Sequence, residues 1–392
     1  MSLKVRGRLL ASGENVEIGI ERGLIQTVHP KPDHGQLTDA KTLWLAPAFF
    51  DIQVNGFAGS DFNSARVTSE EVEKAMIKLR ERGVALFCPT VITQSFDHMA
   101  SCFQALAKAS DQAHIRGRVV PALHMEGPYI SPLEGPRGAH NPEHIRPPNW
   151  DEFQRLQESA NGLIGLLTLA PEVEGAIPFI EKVTRSGVLV AIGHTAAPKR
   201  SIQDAIGAGA RLSTHLGNGS HAMLPRHQNY VWEQLAADEL WASFIVDGHH
   251  LPPSVVKCLI RAKGIGRSIL TSDAIAAAGM PPGRYRLGEI EVIVSPDFKV
   301  ERAETAGSGY LAGSALDLLR GVENIVRFAK VGLPEAVQMA SSNPATLMGI
   351  PDRIGRIEVG REANLILFQW DESSHQLTLK STIQCGETVH QV

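Results

Sequence analysis

The chain is short of several things at once. Four cysteines in 392 residues, Cys88, Cys102, Cys258 and Cys385, stand too far apart for a paired metal motif and are too sparse for a disulfide framework, so they read as reduced packing residues. Neither sign of charge predominates. The 38 Lys and Arg against 42 Asp and Glu leave a net charge of −4, which supplies no basic field for nucleic acid or an anionic membrane surface. Long apolar runs are missing too: the least interrupted, from Gly162 to Ala170, falls far below the roughly 20 residues that span a bilayer. No basic-then-apolar leader opens the sequence. These absences predict a cytoplasmic protein with a small-molecule partner, no nucleic acid and no membrane. Hydrophobic residues at 43% and charged residues at 20% exclude disorder, and the length suits two or three domains or one large barrel with an appendage.

Eight short apolar or β-branched runs each stop at a polar or turn residue: Trp44 to Gln53, Val84 to Thr90, Val119 to Met125, Leu163 to Leu169, Val188 to Ile192, Arg211 to Thr214, Phe244 to Asp247 and Ile269 to Ser272. Amphipathic stretches separate them. In the first, Thr68 predicts an N-cap with Glu71 as its capping-box partner, and Val72, Met76, Ile77 and Leu79 predict the buried stripe. Helical patterns follow at Phe103 to Ala109, Trp150 to Leu156, Ile177 to Val183, Ile202 to Ile206, Val231 to Leu235, Val255 to Ile260 and Leu316 to Phe328. This βαβ rhythm predicts an α/β fold, a (β/α)8 TIM barrel, with a doubly wound open sheet as the alternative. Alternation at both chain ends, in residues 1–48 and again in Gly355 to Phe368 and Leu377 to Val389, predicts a small β-sandwich domain built from both termini. The expected domains are therefore 1–48 with 353–392, and a barrel over 49–352 with a β-rich insertion near 283–313 that caps or extends the mouth.

Barrel active sites lie at the C-terminal ends of the strands, and here those stops are reactive residue types. The third strand runs into His124-Met125-Glu126, the fifth into Gly193-His194-Thr195, the sixth into Thr214-His215, the seventh into Asp247-Gly248-His249-His250 and the eighth into Asp273. Of 15 histidines, ten fall between His114 and His250. Any one of them alone reads as an ordinary polar residue. Together, Glu126, His194 and His215 offer three ligands from separate strands to one point with a coordination position left open, as a catalytic zinc requires. Asp273 is placed to take a proton from a metal-activated water and deliver it to a leaving nitrogen.

These stops resemble the amidohydrolase superfamily, and within it the deacetylases of amino-sugar phosphates. The likeness is carried by Pro47 to Gly56 (PAFFDIQVNG), Leu123 to Pro128 (LHMEGP), Gly138 to Pro142 (GAHNP), Leu169 to Glu172 (LAPE), Gly193-His194, Thr214 to Asn218 (THLGN), Asp247 to His250 (DGHH), Ser272-Asp273-Ala274 and Gly313-Ser314. In the tail, Gly355 to Gly360 followed by Ala363-Asn364-Leu365 resembles the returning sandwich strand. The resemblance spans nearly the whole chain. It implies one divalent metal per subunit, zinc by its His-rich set, held by Glu126, His194 and His215. Asp273 becomes general base and acid, and His250 a donor to the substrate carbonyl. It also implies substrate contacts at Ala139 and His140, a phosphate held by Asn218, the Gly219 amide and Arg226, and a homodimer in which Arg226 reaches a neighbouring site. The implied reaction removes the N-acetyl group of an amino-sugar 6-phosphate.

Departures from the family pattern bear on the metal count and the substrate. Many amidohydrolases end strand one with two histidines, whereas Gln53 and Asn55 stand here, and amides are poor zinc ligands. One ion rather than two is expected. Asn218-Gly219-Ser220 replaces the usual Asn-Ala-Met, and His227-Gln228-Asn229 follows Arg226 in place of a Glu-Pro-Gly type of sequence. An unphosphorylated N-acyl sugar, an N-acyl amino acid or a cyclic amide is the alternative substrate class, and a catalytically dead barrel scaffold the alternative of another kind. His249 and His221 read as rim residues, and His124 shares the inward parity of Glu126.

Overall fold

The computed structural model describes residues 2–31, 42–112, 117–307 and 311–392; His114, in the histidine-rich third, lies outside them. Eight parallel strands form one sheet in sequence order: β1 (Phe49–Val54), β2 (Val84–Ile92), β3 (Leu123–Glu126), β4 (Ile164–Leu169), β5 (Leu189–Ile192), β6 (Leu212–Ser213), β7 (Trp241–Phe244) and β8 (Ser268–Leu270). The seam between β8 and β1 closes through a parallel bridge of Val54 with Ala274 and a hydrogen bond from Asp273 N to Gln53 O. Strands buried on both faces must be apolar throughout, and every residue of β1 and β2 is buried. The chain is thus a (β/α)8 barrel.

The helices wrap the barrel with their apolar stripes inward. Ser69–Arg80 starts at the Thr68 N-cap with the complete capping box to Glu71. Its buried stripe is Val72, Ala75, Met76 and Leu79. Ile77 was expected on that stripe but is 50% exposed, because one residue beyond Met76 turns it about 100° away.

Three further expectations need correction. The run Trp44 to Gln53 is two strands, since Trp44–Pro47 pairs with the terminal sheet before Phe49 enters the barrel. Strand seven is Trp241–Phe244 rather than Phe244 to Asp247; Ile245 and Val246 are buried in the mouth loop and so carry a strand-like pattern without being one. In the tail only Leu365–Asp371 is a strand where Gly355 to Phe368 was expected. Two short helices, Leu333–Ala340 and Ser342–Leu347, were not foreseen, because each carries a proline in its first turn and reads as loop.

Both termini build a seven-stranded sheet in which Ser2–Leu9, Asn15–Glu21 and Leu24–Pro30 meander on one side and Leu365–Asp371, Gln376–Gln384 and Glu387–Gln391 on the other. The sheet folds over so that the Gly23 carbonyl accepts from Ala363 N, whose own carbonyl accepts from Gly386 N. A separate apolar cluster, with Ile18, Ile25, Leu45, Leu365 and Ile383 at its centre, fills this small β-sandwich. Over the barrel mouth, Gly283–Leu287, Ile290–Val294 and Val300–Arg302 form a three-stranded antiparallel sheet.

Candidate active site

Four side chains meet at the C-terminal face of the barrel. Glu126 is the last residue of β3, His194 and His215 follow the ends of β5 and β6, and Asp273 follows β8. The φ angles of His194, His215 and Asp273 are +50°, +32° and +51°, a region that costs a side-chain-bearing residue about 1–2 kcal/mol. Three of the ten non-glycine residues with positive φ among the described residues thus fall at this one site, where aim matters more than local stability. All four are buried and line a cavity of about 420 Å³.

One oxygen gathers two histidines. Glu126 Oε1 lies 3.1 Å from His194 Nε2 and 2.9 Å from His215 Nε2. His194 Nδ1 is 2.9 Å from the Pro136 carbonyl, which only accepts, so Nδ1 carries a hydrogen and Nε2 is the atom turned to the carboxylate oxygen. Such an arrangement fits a cation held between them. Two ligands of a tetrahedral zinc with bonds of 2.0–2.1 Å stand about 3.3 Å apart, close to the separations seen. The Nδ1 of His215 is buried without a hydrogen-bond partner among the described residues.

His140 sits beside this group. Its Nδ1 is 2.8 Å from Thr93 Oγ1 and its Nε2 3.2 Å from His194 Nε2. Ligand atoms of Glu126, His140 and His194 lie within 4.8 Å of one another, so His140 faces the same space. Burial holds the His140 imidazole down at about 3 and that of His124 at about 4, so both are neutral. His124 points inward as its parity predicted, but its Nε2 meets Thr168 Oγ1 at 2.8 Å below the cavity.

The acids divide sharply. Burial would push the Glu126 carboxyl up, yet the hydrogen bonds and charges of His194 and His215 hold it well below the usual carboxylate range. Asp273 is pushed up to about 8, first by burial and then by the Glu126 charge. A second negative charge beside Glu126 is unfavourable in a buried cavity, which is why Asp273 is raised, and a divalent cation, which would let both acids ionise together, fits this donor set.

The other expected residues fall around the same cavity, with one exception. Ala139, Asn218, Gly219 and His250 line it, as do His249 and Asn55. Asp247 holds His250 through Oδ2 to Nδ1 at 2.7 Å and through Oδ1 to the backbone N at 2.8 Å. His249 turns to the rim, its Nε2 2.9 Å from the Asp297 carbonyl. Leu287, Ile290, Leu311 and Gly313 of the insertion roof the cavity. Arg226 is exposed on the loop after β6, away from the cavity of its own chain. No Lys or Arg is among the described lining residues.

Sequence reasoning missed the supports. Pro136 acts through its carbonyl and Thr93 stands just past the end of the apolar strand β2, so neither leaves a signal. Asp247 did leave one, since the i, i+3 spacing to His250 places both on a single turn. Gly138 and Gly219, with φ of +59° and +55°, bring backbone against the His194 ring, where a Cβ would come within 3.1 and 2.8 Å of it.

Residues 44–389 match the amidohydrolase family. The chain is 31% identical over 369 residues to N-acetylglucosamine-6-phosphate deacetylase of Bacillus subtilis, covering 91% of this chain and 90% of that protein. It is 33% identical over 368 residues to N-acetylgalactosamine-6-phosphate deacetylase of Escherichia coli O157:H7, covering 93% and 94%. Among solved structures, N-acetyl-D-glucosamine-6-phosphate deacetylase of Mycobacterium smegmatis superposes with a TM-score of 0.87 at 26% identity, over 99% of this chain and 100% of that one.

Proposed function

The chain belongs to the amidohydrolase family, and from that premise we propose that it hydrolyses the N-acetyl group of N-acetylglucosamine 6-phosphate to give glucosamine 6-phosphate and acetate. The observation that carries this reading is the convergence of His194 and His215 on one Glu126 oxygen at 3.1 and 2.9 Å. The galactosamine relative makes the C4 epimer the one other sugar to test.

In this reading Glu126, His194 and His215 hold one divalent ion, zinc by the donor set, which when bound polarises the amide carbonyl and makes a water acidic. Asp273 takes a proton from the attacking water and gives it to the sugar nitrogen as the C–N bond breaks. His250, held by Asp247 through Nδ1 at 2.7 Å, turns Nε2 to the carbonyl oxygen as the donor that meets the negative charge developing there. His140 and the backbone at Ala139 contact the sugar.

Phosphate recognition falls to Asn218, the Gly219 amide and Arg226. A dianion in a cavity whose described lining has no cationic side chain needs one from elsewhere. Arg226 supplies it to a neighbouring subunit's site in a homodimer, and Met223 and Trp232, 90% and 49% exposed on the same segment, support a face that a second copy covers. The terminal segments 1–48 and 353–392 form one domain, and 49–352 the other with its insertion at 283–313. Four unpaired cysteines support a reducing, cytoplasmic setting, and among the described residues no helix is long and apolar enough to cross a membrane.

Asp273→Asn tests the assignment. Acetate release should fall by about 10²- to 10⁴-fold with the metal retained, and near-normal turnover in that variant overturns it.

A further inference from the structure

Gln53 lies on β1 and Asn55 one residue past its end at Val54, and both side chains turn to the same side, toward Asp273. Both aim an amide nitrogen at a single atom. Gln53 Nε2 donates to Asp273 Oδ1 at 2.9 Å and Asn55 Nδ2 donates to the same oxygen at 2.7 Å. The backbone adds a third tie, from Asp273 N to Gln53 O at 3.1 Å. Asp273 Oδ2 is left without a hydrogen-bond partner among the described residues. Asn55 cannot turn its amide over, since that would set its carbonyl oxygen against the carboxylate. Its Oδ1 is consequently buried and unpartnered beside Asp273, on the cavity wall.

We propose that Gln53 and Asn55 are positioning residues for the base: they fix Asp273 by its Oδ1, leave Oδ2 as the oxygen that carries the proton, and offer Asn55 Oδ1 to the second hydrogen of the attacking water. The proposal rests on the assignment of Asp273 as the base. During attack the water oxygen bonds to the amide carbon and one hydrogen passes to Asp273 Oδ2. The other stays on that oxygen and is donated to Asn55 Oδ1. The proton on Oδ2 then moves to the sugar nitrogen as the C–N bond breaks, which restores the carboxylate. An unpaired acceptor in a buried wall is costly unless something fills it, and an oriented water is a donor of the right size.

A double-mutant cycle separates positioning from scaffolding. Asn55→Leu removes the donor and the orphan acceptor at nearly constant volume. In the wild-type background it should lower kcat by about 10- to 100-fold, the scale of a lost charge-assisted hydrogen bond. KM, bound metal per chain and thermal midpoint should stay near wild type. In the Asp273→Asn background the same change should cost no more than about twofold, because there is no carboxylate left to orient. Gln53→Leu should behave alike. Equal losses in both backgrounds, or loss of metal with loss of rate, overturn the proposal in favour of a structural role. If Asp273→Asn is itself fully active, the base assignment fails instead, and the two failures are distinguishable.

Discussion

Replacing Gly219 by alanine probes how the loop after β6 buttresses His194, one of the proposed metal ligands. The backbone there has φ +55°, and a Cβ would stand 2.8 Å from His194 Nδ1 and 3.1 Å from the Pro136 carbonyl oxygen. The left-handed conformation costs a non-glycine residue about 1–2 kcal/mol. Relief of the contact requires the His194 ring to leave Pro136 O, at a net cost of about 0.5–1.5 kcal/mol for that hydrogen bond. A stability loss of about 1.5–3.5 kcal/mol follows, and loss of the partner that fixes a ligand's tautomer lowers metal affinity by about 10- to 100-fold. Gly187→Ala is the control, since φ there is +88° with nothing within 4 Å of the added atom; it should lose stability and keep its metal. Competition with a chromogenic chelator and thermal unfolding read both quantities. Metal affinity within threefold of wild type in Gly219→Ala refutes the reasoning.

Other perturbations separate the remaining roles. Asp51 is pushed up to about 6 by burial, despite hydrogen bonds from Ser272 and Thr271. Its neutral form therefore contributes stability that is fully present below the ordinary carboxylate range and is lost as pH rises through about 6. The stability difference between wild type and Asp51→Asn should shrink by roughly 3 kcal/mol from about pH 3.5 to about pH 7, and denaturant titrations that show no change across that window contradict the assignment. Arg226→Ala should raise KM for the 6-phosphate by about 10- to 150-fold and leave turnover of the plain N-acetyl sugar unchanged; equal effects on both deny it a phosphate. Asp247→Asn should lower kcat by about 10- to 100-fold with metal content intact, because His250 loses the acceptor that holds its Nδ1–H. Unchanged kcat removes His250 from the developing oxyanion.

Most of the barrel was legible because its strands are buried on both faces and stop abruptly. Glu126, His194, His215 and Asp273, which share one cavity, stood out by residue type and position, since strand ends aim side chains into the mouth. What stayed illegible acts through backbone or through burial without regular structure. The Pro136 carbonyl carries no side-chain signature, and Ile245 and Val246 are as buried in a loop as they would be in a strand. Gln53 and Asn55 were visible as departures from a two-histidine pattern. Their shared grip on Asp273 Oδ1 became evident only when β1 and β8 met at the seam.

The most direct measurement pairs elemental analysis of the purified protein with acetate release from N-acetylglucosamine 6-phosphate. The account predicts about one divalent ion per chain, loss of acetate release on chelation and its return when metal is added back. A metal-free protein that releases acetate at full rate, or a metal-loaded one that releases none from this sugar or its C4 epimer, contradicts it.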